Sequence, residues 1–70
     1  MRVRLLLSEY AFTRMIVYHT QNAHGHSNVN RGAVAKQMWT NLMQLAEQLD
    51  EKPIVVNEDG EKELVFFMQV

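Results

Sequence analysis

The chain has no cysteine, one proline and three glycines in 70 residues. Without cysteine there can be no disulfide, no thiolate metal site and no cysteine nucleophile. Three scattered glycines cannot build a phosphate-cradling loop. Carboxylates are scarce in the first half, where Glu9 is the only one before Glu47. Ser27 and His26 are neighbours in sequence, which does not make a catalytic dyad. No convergent set of acid, base and nucleophile is visible, so a non-enzymatic chain is expected. Long apolar runs are also missing. Nothing approaches the roughly 18 residues of a membrane span. The opening MRVRLLLSEYAF imitates a signal peptide, but Leu5–Leu7 is too short and no clean cleavage site follows. The expected setting is a reducing cytoplasm, with Met1 as the first residue.

What is present is a globular composition, 47% hydrophobic and 21% charged. The length allows one domain, residues 1–70. A chain this short buries only about 60% of its unfolded surface and has a stability of a few kcal/mol. With no covalent staple, it must rely on apolar packing, a partner or self-association.

Charge is unevenly placed. Residues 1–36 carry five Arg or Lys against Glu9, or 5 − 1 = +4, and residues 37–70 carry 2 − 7 = −5. Such polarity steers charged partners or favours antiparallel self-association, and equally describes two solvated faces.

Local patterns predict α+β architecture. Val3, Leu5 and Leu7 alternate with Arg2, Arg4 and Leu6, as in a strand with one apolar and one mainly basic face. Residues 9–21 are ambiguous. Phe12, Met15, Ile16 and His19 follow helical spacing after a possible Ser8 cap. Tyr10, Phe12, Thr13, Ile16, Val17, Tyr18 and Thr20 are strand formers. The preferred reading is a strand from about Phe12 to Thr20. Residues 22–30 read as a loop.

A helix is expected after it, capped by Asn30 and stopped by Pro53. Its apolar stripe runs Val34, Met38, Leu42, Leu45 and Leu49, widened by Ala35, Trp39 and Ala46. Trp39, Leu42, Leu45 and Leu49 should pack on the sheet, and Leu45→Ala should cost about 2–5 kcal/mol.

A hairpin follows. Asn57 opens its turn and Gly60 supplies a left-handed position, so that Ile54 faces Leu64 and Val55 faces Glu63. The order is ββαββ on an antiparallel sheet, or βααββ if residues 9–21 are helical. A single amphipathic helix covers one sheet face. The other face keeps Val55, Val65 and Phe67, rimmed by Glu61 and Glu63. These five residues are the candidate partner-binding set, suited to a protein with a basic surface such as a nucleic-acid channel. A second copy is another possible occupant.

Two other chemistries compete with this reading. His19, His24 and His26 form H-x4-H-x-H, with imidazoles that can ligate zinc or nickel. A tight site needs a third or fourth fixed ligand with supporting hydrogen-bond partners, and a polar loop that happens to contain histidine is the simpler reading, so no metal or other cofactor is expected. Arg2, Arg4 and Arg14, with Tyr10 or Tyr18, could make a phosphate and stacking patch. The acidic second half opposes strong direct nucleic-acid binding.

The segment KPIVVNEDGEKELVFFM resembles the strand-turn-strand of the Phd/YefM antitoxin family, which follows a helix and reads roughly xPIxIxxxGxxxAVLM. The resemblance covers about a quarter of the chain. It implies a DNA-binding regulator or antitoxin. The chain departs from the pattern in having about thirty residues before the helix and no toxin-binding tail after Val70. In size and lack of motifs the chain also resembles anti-CRISPR proteins, the phage and mobile-element inhibitors of host defence. The leading expectation is therefore a small protein that regulates or inhibits a larger protein by binding it. A DNA-binding regulator and a histidine metal-binding module stand as alternatives.

Overall fold

The structure, a computed structural model, describes residues 1–21 and 30–70. Its elements are β1 (Arg2–Leu7), α1 (Glu9–Thr20), α2 (Arg31–Glu47), β2 (Ile54–Val56) and β3 (Lys62–Gln69). The architecture is α+β, and the order is βααββ. The strand expected at Phe12–Thr20 is a helix.

The physical reasons for that helix are local and tertiary. Ser8 caps it, its side-chain oxygen accepting from the Ala11 N–H at 3.1 Å. The β-branched threonines, poor helix formers, return their hydroxyls to the backbone. Thr13 donates to the Tyr10 carbonyl and Thr20 to that of Ile16. Burial then decides. Phe12 packs on Trp39, ring centroids 5.4 Å apart and tilted by 49°. Helical spacing also brings Ile16 onto the same core.

Asn30 caps α2 as expected, its Oδ1 accepting from Ala33 N–H at 3.1 Å. Arg31 ties the two helices together by donating to the Gln21 carbonyl at 3.0 Å. The helix stops well before Pro53. Gln48 N–H and Leu49 N–H bond to the Leu45 and Ala46 carbonyls, closing the last turn in tighter i→i−3 fashion. Leu49 therefore lies beyond the helix.

The inward stripe of α2 is also rotated from the expected one. Ala35, Trp39 and Ala46 are buried, with Leu42 and Met43 packed beside Trp39 and Ala46. Val34, Met38, Leu45 and Leu49 are exposed, Leu45 at 62%. Both stripes satisfy helical spacing. The observed one turns small Ala35 and Ala46 inward beside bulky Trp39, which meets Phe12 of α1.

The sheet is antiparallel in the order β1-β3-β2. The turn forms as the sequence predicts. Asn57 Oδ1 accepts from the Asp59 and Glu61 N–H groups, Gly60 has φ +82°, and Ile54 pairs with Leu64. An L-side chain at Gly60 would be strained by that φ, although nothing crowds the position. The last strand lies in the centre of the sheet, between the other two.

The core sits at one corner. Leu7, Leu64 and Ile54, one from each strand, share a row on the face that meets Phe12, Trp39 and Ala46. Beyond that row the sheet and the helices diverge. The radius of gyration is 14.2 Å, against about 11 Å for a compact 70-residue domain, and the extents are 42 × 27 × 23 Å.

Candidate functional site

Strand alternation places Arg2, Arg4 and Leu6 of β1 on the same face as Val65, Phe67 and Gln69 of β3, because Arg4 pairs with Phe67 and Leu6 with Val65. Val55 and Glu63 are paired and share it too. This is the face opposite the helix-packed corner. It holds four of the five expected contact residues in one row system, and Glu61 follows at the mouth of the turn.

Their exposure differs. Phe67 is 56% exposed and is the principal apolar projection, with exposed Leu6 nearby. Val55 and Glu63 are half-buried, and Glu61 is exposed. Val65 is only 8% exposed although it lies outside the helix-packed cluster. It occupies the middle of β3, flanked by Leu6 and by Pro53, whose carbonyl accepts its N–H at 2.9 Å. Val65 thus supports the surface and contributes little contact area.

Sequence reasoning named Arg2 and Arg4 as a basic face of β1 but did not place them beside Phe67. The Arg2 guanidinium lies 4.2 Å from the Phe67 ring centroid, a cation–π arrangement that holds the ring's plane against β1. Alternation identified a basic face on β1. No local signal said that β1 would lie beside the final strand. The expected basic patch is accordingly divided. Arg14 sits on α1 with Tyr10, its guanidinium donating to the phenol oxygen at 2.8 Å.

The turn end of the sheet gathers acidic groups from distant parts of the chain. Glu9, Glu47, Glu61 and Glu63 line an open groove of ≈ 600 Å³ whose floor includes Trp39. Lys62 lines it too and donates to Glu47 at 3.0 Å. Both partners are well exposed, so this ion pair contributes at most about 1 kcal/mol. The charge of these five groups is 1 − 4 = −3. The rim expected from Glu61 and Glu63 is therefore extended by Glu9 and Glu47.

His24 and His26 lie outside the described residues. His19 is exposed in the last turn of α1, edge-on to Tyr18. Among the described residues, no group of three His, Asp or Glu is placed to hold a metal ion. No described helix is long and apolar enough to cross a membrane. No protein-family profile, curated protein or solved structure matches the chain.

Proposed function

We propose that this chain is a small, non-enzymatic interaction protein that regulates or inhibits a larger cytoplasmic protein by binding it through the Phe67 face of its sheet. The observation that carries this reading is the exposed Phe67, set among Leu6, Arg2 and Arg4 on the face turned away from the helices. Half-exposed aromatic and aliphatic side chains ringed by charge are what interface centres are made of.

The backbone supports the same surface. β2 begins at Ile54, opposite Leu64, so among the described residues no strand lies beside Phe67 and Gln69 on that side of β3. Their N–H and C=O groups point there, as those of Val65 do toward Pro53. An extended partner segment can add at this point, continuing the line of β2. The acidic groove at the turn end favours a partner with a basic surface beside that segment. Inhibitors of phage and mobile-element origin fit this format of small size and contact-driven action.

Direct binding to a phosphate backbone is less well supported. On this face Arg2 and Arg4 are offset by Glu61 and Glu63, or 2 − 2 = 0, and phosphate affinity comes from neutralisation by a surplus of cations.

The test is capture of partners from the native host with wild-type protein and with Phe67→Asp. The expected result is one protein recovered by the wild type and lost by a variant whose circular dichroism is unchanged. Unfolding of the variant would make Phe67 a core residue. Nucleic acid recovered in place of protein would favour the DNA-binding regulator.

A further inference from the structure

We infer that the free edge of β1 pairs antiparallel with β1 of a second copy, in a register that places Leu5 against Leu5 on the two-fold axis. This edge lies on the opposite side of the sheet from the open flank of β3 proposed above to bind the partner, and Arg2, Arg4 and Leu6 border both.

The hydrogen bonds define which groups the edge offers. Met1 and Val70 exchange both backbone bonds, at 3.0 and 2.7 Å, and are therefore a hydrogen-bonded pair of the β1–β3 ladder. Pair types alternate along an antiparallel ladder, so Val3, Leu5 and Leu7 also bond to β3. The N–H and C=O groups of Arg2, Arg4 and Leu6 must then point away from β3. β1 is an edge strand, so among the described residues those groups meet no other strand. Leu5 and Leu6 are exposed on its two faces, at 43% and 51%.

Two-fold pairing must join outward-pointing residues to outward-pointing residues. Centring on Arg4 would set Arg4 opposite Arg4, and like charges directly opposed are destabilising. Centring on Leu5 pairs Arg4 with Leu6 of the second copy and sets Val3 against its Leu7. Leu5 then meets Leu5 across a non-hydrogen-bonded pair, the closer type. No like charges face each other. The apolar face becomes continuous across the axis.

Charge complementarity favours the same register. Arg2 and Arg4 lie at one end of the sheet and Glu63 near the other, all on one face. The two-fold brings the arginines of each copy to within two strand spacings, about 10 Å, of the other copy's Glu63 backbone. Long side chains span that gap. This uses the opposite signs of the two halves of the sequence, which a monomer leaves apart.

Five strand residues per copy, Val3–Leu7, make a contact well below the roughly 800 Å² per partner of a permanent complex, so the dimer is concentration-dependent. Sedimentation across a concentration series should show mass rising from 8.2 kDa towards 2 × 8.2 = 16.4 kDa. Arg4→Pro should abolish that rise and keep the fold, since Pro removes only an outward N–H. The chain has no native cysteine. Leu5→Cys should therefore cross-link cleanly on mild oxidation, its Cα atoms lying about 4.5 Å apart across the axis. Val3→Cys should not, because its two copies stand about 13 Å apart along the strands. A monomer at every concentration overturns the proposal. So does a dimer in which Leu5→Cys cross-links no faster than Val3→Cys, and that readout decides even where Arg4→Pro unfolds. Loss of the partner in Phe67→Asp with the Leu5→Cys cross-link retained separates this edge from the partner-binding face.

Discussion

On its helix-facing side, the near end of the sheet and the far end carry the same kind of side chain and meet different fates. At the near end Leu64 is 2% exposed, locked with Leu7 and Ile54 against Phe12 and Trp39. Two and four residues along the same strand, Phe66 and Met68 are about half exposed. Their register partners Leu5 and Val3 lie on the same face. The alternation is unbroken from one end to the other. What changes is the cover, because α1 and α2 pack on each other and reach the sheet only at its corner. An apolar row marks a face that something can bury, and it does not say how far this chain's own helices extend over it.

The strongest challenge to that contrast is Trp39→Ala. The indole is the centre of the corner, and its removal should cost about 3–5 kcal/mol. That is comparable to the whole stability of a domain of this size. Chemical denaturation should show most molecules unfolded in buffer. A loss below about 1 kcal/mol would mean that the corner is not the core.

A matched pair on β3 sharpens the comparison. Leu64→Ala should destabilise by about 2–5 kcal/mol, whereas Met68→Ala, truncating a half-exposed side chain, should cost less than about 1 kcal/mol. Both are measured at low concentration, where association does not contribute. Equal losses would show that the far end is buried in the free protein, and would remove the distinction.

The smallest effect belongs to Leu45→Ala, which should stay within about 0.5 kcal/mol. Its place in the apolar stripe read from the sequence argues for the large loss of a core residue. Its exposure on the rotated helix argues for almost none. Urea midpoints of the wild type and this variant decide between the two stripes.

The sequence by itself determined the features made within a few residues of chain. Ser8 and Asn30 cap helices because their side-chain oxygens reach an N–H three residues on. Asn57 and Gly60 close the hairpin for the same local reason, and with it the pairing of Ile54 to Leu64. Alternation in β1 and β3 sorted Phe67 from Phe66 before any partner strand was known. Tertiary structure decided the rest. Residues 9–20 carry strand-forming side chains, and the burial of Phe12 and Ile16 in the core, added to the Ser8 cap, makes them a helix. Either flank of α2 could have turned inward, and the one that did carries Ala35, Trp39 and Ala46. The Arg2–Phe67 stack joins residues 65 positions apart, through a pairing of first and last strands that no local pattern encodes. Propensity, capping and turn chemistry act over three or four residues. Which apolar surfaces meet is settled by the packing of the whole chain, and the acidic groove and the free edge of β1 exist only after that packing is complete.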